Sequence, residues 1–147
     1  MLNVLFVAAE GTPFIKTGGL ADVIGSLPKA LVGKDTNISV IMPKYKNIAP
    51  RYRDKMKNIY VGEVMVGWRH QYCGIDYLKL NGVHFYFVDN EFYFHRENCY
   101  GEYDDGERFG FFCRAVLEAL PHLPTGIPDI LHCHDWHAAA VSALYKM

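Results

Sequence analysis

The chain has 147 residues, of which 50% are hydrophobic and 21% are charged, and its formal net charge is −1 at pH 7. This length suits one domain with a single core, and the apolar fraction excludes a disordered tail. A net charge so close to zero provides no field to attract nucleic acid or an acidic membrane, so we expect neither as a partner.

The first half of the chain predicts one strand–helix–strand unit. Residues 2–8 are apolar apart from Asn3 and do not alternate with polar residues, which is typical of a strand covered on both faces. Residues 10–19 contain three glycines and a proline, which predict a loop. Apolar residues then recur at helical spacing: Leu20, Val23, Ile24, Leu27 and Leu31. Pro28 should kink or shorten this helix, and residues 38–42 predict a second buried strand.

The middle of the chain predicts an antiparallel insertion that leads back to the main sheet. Residues 59–68, 72–80 and 83–88 are rich in β-branched and aromatic residues. Asn81-Gly82 separates the last two runs, and this pair is a strong hairpin signal. An aromatic and polar loop is expected over residues 90–103.

The last third predicts a helix, a strand and a second helix. Asp104 should cap the first helix, with Glu107 as its reciprocal partner. Residues 130–133 predict another buried strand, and Asp135 can cap a helix from about Trp136 onward. No glycine or proline closes that helix before the last residue, which predicts an incomplete domain.

These elements predict an α/β fold with a Rossmann-like, mostly parallel sheet and an antiparallel hairpin insertion. The four cysteines (Cys73, Cys99, Cys113 and Cys133) are widely spaced, which predicts buried thiols rather than disulfides. The apolar start of the chain is too short for a signal peptide or a membrane span. We therefore expect a cytoplasmic location.

The loop Lys16-Thr17-Gly18-Gly19 is the first candidate for chemistry. Glycines allow backbone N–H groups to approach a ligand, the following helix adds partial positive charge, and Lys16 adds a full one. Together they can form a diphosphate cradle, although the spacing matches no standard phosphate-binding motif. The alternative is a tight turn whose glycines only satisfy geometry. Asp22 could serve a sugar hydroxyl or a catalytic group, but a carboxylate that complements the helix dipole is the simpler interpretation.

The second candidate is the segment 132–137, at the carboxyl end of a predicted strand, where open α/β sheets bind ligands. A metal site is one alternative, since His, Cys and Asp are all metal ligands. Strand geometry directs His132 and His134 to one face and Cys133 to the other, so we expect no metal. For His132 and Cys133, core filling is the favoured interpretation.

The third candidate is the aromatic segment 89–96, together with Tyr100. Sugars stack their apolar faces on aromatic rings, so this segment would suit an oligosaccharide. A hydrophobic cluster beneath a long loop is the alternative that the residues alone favour.

Together these segments resemble bacterial glycogen synthase and plant starch synthase. The resemblance is carried by Val7-Ala8-Ala9-Glu10, by residues 13–28 with Lys-Thr-Gly-Gly-Leu-Ala-Asp-Val at their centre, and by His134-Asp135-Trp136-His137. It implies two Rossmann-like domains of the GT-B type, facing each other across a cleft that holds ADP-glucose. Residues 1–147 would be a truncated N-terminal, acceptor-side domain without the C-terminal nucleotide-binding domain.

The resemblance also implies a reaction and roles for residues. Glucose would pass from ADP-glucose to the non-reducing end of an α-1,4-glucan such as glycogen, with retention and without a cofactor or metal. The implied roles are as follows: Lys16, Thr17, Gly18 and Gly19 bind the donor diphosphate, Asp22 and Asp135 are catalytic, and Glu10, Tyr93 and His137 contact donor or acceptor. The isolated chain should be inactive, because the second domain supplies further charged groups. The alternatives are a non-catalytic carbohydrate- or nucleotide-binding half-domain and a metal-dependent hydrolase.

Overall fold

A computed structural model describes all residues from 1 to 147. Six strands form one sheet in the order β3-β4-β5-β2-β1-β6. The strands are β1 (Leu2–Val7), β2 (Thr36–Pro43), β3 (Lys57–Val66), β4 (Arg69–Leu80), β5 (Val83–Asp89) and β6 (Ile130–Cys133). The helices are α1 (Gly19–Leu31), α2 (Pro50–Arg53), α3 (Glu91–Phe94), α4 (Asp105–Ala119) and α5 (Trp136–Tyr145), with a 3₁₀ turn at Leu120–His122.

The sheet is mixed, and its parallel part contains the strand–helix–strand unit that the sequence predicted. β1 pairs in parallel with β2 and β6, and β2 pairs in parallel with β5. β4 is antiparallel to both β3 and β5. The expectation of an α/β fold with an antiparallel insertion is therefore confirmed. The carboxyl ends of β1, β2, β5 and β6 consequently meet at one edge of the sheet.

The turn between β4 and β5 has the geometry that its sequence predicts. Asn81 has φ 52° and Gly82 has φ 79°, so both central residues are left-handed, as a type I′ turn requires. This turn returns the chain from the antiparallel strands to the parallel ones.

β6 is the strand whose burial was predicted wrongly. Its residues are only exposed or half-buried, and His132 is exposed. The reason is position, because β6 pairs only with β1 and forms the edge of the sheet. The expectation that His132 fills the core is therefore wrong, while Cys133 is half-buried.

The helix α1 differs from its predicted form in two ways. Pro28 is buried and does not end the helix, which continues to Leu31. Only Ile24 of the predicted apolar positions is fully buried, while Val23 and Leu27 remain partly exposed. The helix packs on β2 through a narrower face than the pattern of apolar residues suggested.

The predicted capping box of α4 is absent. The Asp104 carboxylate makes no cap hydrogen bond and instead accepts two bonds of 2.9 Å from Arg96. Glu107 accepts from the Tyr93 hydroxyl at 2.7 Å. The Asp105 carboxylate takes over the role nearest to a cap, since it accepts from the backbone of the preceding turn. An arginine in the preceding loop therefore outcompetes the helix end for Asp104.

Cys73, Cys99 and Cys113 are buried free thiols, as predicted. Burial raises the pKa of Cys73 to about 12 and the pKa of both Cys99 and Cys113 to about 11. None of the helices combines the length and the hydropathy that a bilayer crossing requires.

Candidate functional site

The two segments with candidate chemistry lie at the same edge of the sheet. The loop that carries Lys16 leaves the end of β1, and His134 follows the end of β6. The backbone N–H of His134 donates to the Val7 carbonyl at 2.9 Å, so the ends of the two strands are joined. Adjacent parallel strands have thus brought together segments that are more than a hundred residues apart in the sequence.

The loop before α1 is held in place by hydrogen bonds to a buried carboxylate. Glu10 is 2% exposed, and its Oε2 accepts hydrogen bonds of 2.6 Å from both the backbone N–H and the hydroxyl of Thr17. A second constraint is a pair of backbone bonds between Gly11 and Ile15. Glu10 therefore holds the loop in place, a role that the sequence did not indicate.

The space beside Gly18 and Gly19 is open, so packing within the loop does not require these residues to lack a side chain. Gly18 has φ −162°, an extended conformation that any residue adopts. A Cβ at Gly18 would have only one neighbour within 4 Å, the Glu10 carboxylate at 4.0 Å, and a Cβ at Gly19 would have none. The backbone N–H groups of both residues make no hydrogen bond, and no side chain caps the helix. This arrangement contradicts the tight-turn alternative and leaves donors available to an anion.

Lys16 and Asp22 form an ion pair beside those amides. The Lys16 ammonium donates to both carboxylate oxygens, at 2.9 and 2.8 Å, and the two side chains are 54% and 59% exposed. Ion pairs at such exposure contribute about 0–1 kcal/mol. The pair therefore orients Lys16 but can be exchanged for a more strongly charged partner.

Asp135 links β6 to α5 in a strained conformation. Its φ is 64° and its ψ is 179°, a region that is almost restricted to glycine. Its carboxylate accepts the N–H of Trp136 at 2.7 Å and is otherwise exposed. The predicted cap is present, and the strain presents an exposed carboxylate at the sheet edge.

His137 and Tyr100 lie beneath this edge. Their rings stack with centroids 4.6 Å apart, and His137 is 5% exposed. The Nδ1 atom of His137 and the hydroxyl of Tyr100 are buried without a partner. Burial lowers the pKa of His137, which favours the neutral imidazole, and burial together with the Glu10 charge raises the pKa of Tyr100. Two polar groups are thus buried close to the Glu10 carboxylate.

Arg108 is a buried charged residue that the sequence analysis did not identify. It is fully buried, and it donates to the carbonyls of Tyr93 and Cys99 at 2.7 and 3.0 Å. It also pairs with Asp105 at 2.8 Å. A signal was present, because Arg108 precedes the buried Phe112 by four residues and so lies on the apolar face of α4.

Tyr93 belongs to the core. It is 0% exposed, its ring centroid lies 4.8 Å from that of Phe111, and its hydroxyl donates to Glu107. A ring without exposed surface cannot stack on a sugar, so we correct its predicted contact with an acceptor. The hydrophobic-cluster interpretation holds for Tyr93 and Phe94, while Phe92 remains exposed.

His132, in β6, and His134, just after it, lie side by side at the edge of the sheet. His132 Nδ1 and His134 Nε2 are 2.7 Å apart, which confirms that the two side chains share one face. No group of three or more His, Cys, Asp or Glu side chains is arranged to hold a metal ion. A cavity of about 540 Å³ lies elsewhere, between β3 and helices α4 and α5. Its mostly hydrophobic lining offers less chemistry than the open amides, so we locate the site at the sheet edge.

The comparisons with known proteins point to one family. The starch synthase catalytic domain family matches residues 3–147. The glycogen synthases of Caldicellulosiruptor bescii and Anoxybacillus flavithermus are 57% and 53% identical over 145 residues, which is 99% of this chain and 30% of each relative. The catalytic domain of starch synthase IV from Arabidopsis thaliana, bound to ADP and acarbose, superimposes with a TM-score of 0.87 at 36% identity. It is covered over 30% of its length, against 99% of this chain.

Proposed function

Because the chain belongs to the starch synthase catalytic domain family, we propose that it is the N-terminal part of a glucosyltransferase of glycogen synthesis. The whole enzyme transfers glucose from ADP-glucose to the non-reducing end of an α-1,4-glucan, with retention. It has the two-domain GT-B arrangement and acts in the cytoplasm without a cofactor. The names of the relatives and the ADP bound in the plant structure support this proposal.

The observation that carries the proposal is the open amide loop at the start of α1. Gly18 and Gly19 present unpaired N–H groups at a helix N-terminus, with empty space where their side chains would be. A diphosphate carries the negative charge that such a terminus binds. The loop therefore suits the leaving group of a nucleotide sugar.

The ion pair of Lys16 and Asp22 gives this loop a positive charge that can change its partner. As the bond to the sugar breaks, negative charge develops on the diphosphate, and an ammonium group aimed at it lowers the barrier. Lys16 leaves Asp22 readily because their pair is exposed. The released Asp22 carboxylate and the Asp135 carboxylate can then accept hydrogen bonds from sugar hydroxyls.

The chain spans about 30% of the length of its relatives. Lys16 is the only cation between Glu10 and Gly19, and it is already paired with Asp22. One such charge cannot replace a complete set of groups around a diphosphate. We therefore expect the isolated 147 residues to have negligible transferase activity.

Transfer of labelled glucose to glycogen by the full-length protein tests the proposal, with ADP-glucose and UDP-glucose compared as donors. Gly19→Ala should lower kcat/KM for ADP-glucose at least about tenfold, because its methyl group enters the space next to the amides. Gly106→Ala is the matched control, since a Cβ there also has no neighbour within 4 Å. Equal kinetics for the two variants would contradict the assigned role of the loop.

Donor binding without transfer would identify the alternative, a nucleotide- or carbohydrate-binding half-domain. The two outcomes are separated by measuring ADP binding calorimetrically in the same preparation. Binding that is lost in Gly19→Ala, with no transfer by the intact protein, would support the non-catalytic function.

A further inference from the structure

Tyr100 contacts the candidate site from within the protein, yet the proposed transfer gives it no role. Its ring stacks on His137, in the first turn of α5, with the ring centroids 4.6 Å apart. The ring of Phe109, in α4, lies 5.9 Å from it. The Tyr100 ring is therefore packed against side chains of both helices.

The backbone on each side of Tyr100 is fixed by the ion pair of Arg108 and Asp105. Arg108 donates to the Cys99 carbonyl at 3.0 Å, and the Asp105 carboxylate accepts the Gly101 N–H at 2.8 Å. The two charged side chains are 2.8 Å apart, and Arg108 is fully buried. Hydrogen bonds to charged groups are stronger than those between neutral groups. The position of Tyr100 is therefore set by α4.

The hydroxyl of Tyr100 is a buried donor that lacks a partner. Burial raises the pKa of this hydroxyl, the charge of Glu10 raises it further, and the Thr17 side chain lowers it. The hydroxyl is thus a neighbour of the contact between Glu10 and Thr17. A buried donor that stays unpaired keeps its full desolvation cost, which favours a hydrogen bond to an acceptor close by.

Thr17 has an acceptor that suits this donor. The hydroxyl hydrogen of Thr17 is used in the 2.6 Å bond to Glu10 Oε2, and the Thr17 backbone N–H binds the same oxygen. A hydroxyl has one hydrogen and two lone pairs, so Thr17 Oγ1 can still accept. The donor of Tyr100 and the free lone pairs of Thr17 are therefore complementary.

We propose that the Tyr100 hydroxyl donates to Thr17 Oγ1, and that Tyr100 is thereby a positioning residue for the loop before α1. The hydrogen bonds then run in one direction, from Tyr100 to Thr17 and from Thr17 to Glu10, so that each strengthens the next. They connect the loop to helices α4 and α5. The effect on glucose transfer rests on the proposed function.

This connection is relevant to transfer because Gly18 directly follows Thr17 in the chain. A shift of Thr17 moves the first of the open amides. Donors stabilise the charge that develops on a leaving group only when they are held in place beforehand, and small displacements lower the rate. Tyr100 would act through Thr17 and would not touch the donor itself.

Tyr100→Phe in the full-length protein tests the proposal, since it removes the hydroxyl and keeps the ring that stacks on His137. Amide hydrogen exchange over residues 16–19, followed by mass spectrometry, should become about fivefold faster, as expected for the loss of one hydrogen bond. The value of kcat/KM for ADP-glucose should fall by about the same factor, while KM for glycogen stays unchanged.

Tyr86→Phe is the matched control. Tyr86 is also buried, and its hydroxyl bonds to Thr125 at 3.0 Å, away from the loop before α1. This variant should change neither the exchange of residues 16–19 nor the kinetics. Exchange in Tyr100→Phe that equals that of the wild-type protein, or an equal increase in Tyr86→Phe, would overturn the proposal.

A double-mutant cycle identifies the partner of Tyr100. In a Thr17→Val background, Tyr100→Phe should lower kcat/KM no further, because the acceptor is already absent. If the two substitutions instead lowered kcat/KM by independent factors, Thr17 would not be the partner and the proposed hydrogen bond would be wrong.

Hydrogen exchange separates this proposal from the proposed function. If the wild-type protein transfers no glucose, the proposed function fails, yet faster exchange confined to Tyr100→Phe still supports the hydrogen bond to Thr17. If transfer is active and exchange is faster, an unchanged kcat/KM for ADP-glucose would overturn the positioning role.

Discussion

Asp135 lies at the sheet edge in a backbone conformation that lowers the stability of the fold. Its backbone lies where almost only glycine is found, and the strain is of the order of 1–3 kcal/mol. Glu10 is buried without an arginine or lysine in contact and is satisfied by Thr17 instead. Strained backbone of the kind seen at Asp135 is concentrated at functional sites. Stability alone does not require either of them.

Asp135→Gly should separate strain from capping. Glycine adopts φ 64° freely, and as a cap it loses only a few tenths of a kcal/mol, so the free energy of unfolding should rise by about 1 kcal/mol. Asp135→Ala keeps the strain and loses the cap, so it should be less stable than the wild-type chain. Urea denaturation measures both changes, and equal stability of the two variants would contradict strain at this position. Both variants should lower glucose transfer by the full-length protein.

Thr17→Val should show how strongly Glu10 holds the loop. The substitution removes a hydroxyl that donates to a buried carboxylate at 2.6 Å, so we expect a loss of about 1–2 kcal/mol. Thr36→Val is the control, since its hydroxyl donates to the neutral carbonyl of Leu31 at 2.7 Å and should cost less. In a Glu10→Gln background, the effect of Thr17→Val should shrink by about 1 kcal/mol. Strict additivity in this double-mutant cycle would show that the two residues are not coupled.

At the scale of elements, the sequence predicted what local patterns determine. The Asn81-Gly82 turn and the parallel strands β1 and β2 follow from turn chemistry and continuous apolar runs. The burial of β6 could not be predicted, because a short apolar run does not reveal whether a strand is central or at an edge. The cap of α4 was misjudged because Arg96, in another segment, binds Asp104.

The candidate site was predictable in part. The loop at residues 16–19 and Asp135 were identified from motif and position, and the structure brings both to one edge. The anchoring role of Glu10 and the buried position of Tyr93 depend on contacts between separate segments. Such contacts carry no periodic signal in the sequence.

The glycines of two elements should respond in opposite directions to the same substitution. Gly82→Ala places a methyl group at φ 79° and 3.1 Å from Val32 Cγ1, so we expect a loss of about 1–2 kcal/mol. Gly110 lies inside α4 with no atom within 4 Å of its added Cβ, so Gly110→Ala should stabilise the chain by about 0.5–1 kcal/mol. Thermal denaturation compares the two. If both substitutions changed the stability in the same direction, the positive φ of Gly82 would not determine the effect.

Across the whole molecule, hydrophobic burial and chemistry occupy different regions. The interior is formed by β1, β2 and β5 against α4, and it contains the three buried thiols. The exposed Asp22 and Asp135 carboxylates and the open amides of Gly18 and Gly19 lie at the carboxyl edge of the sheet. The Cys73 thiol makes no hydrogen bond to a residue of the candidate site, so its substitution permits a test of global stability.

Alkaline pH should destabilise the whole fold through its buried thiols. Unfolded cysteines lose their protons above about pH 8.5, whereas Cys73, Cys99 and Cys113 keep theirs until about pH 11–12. The unfolded state then binds fewer protons than the native state, so the free energy of unfolding falls as the pH rises through this window. Each thiol contributes a slope of up to about 1.4 kcal/mol per pH unit. Urea denaturation between pH 8 and 10 measures the slope, and Cys73→Ala should reduce it by one thiol's share. Parallel curves for the variant and the wild-type chain would show that Cys73 does not keep its proton in the folded state.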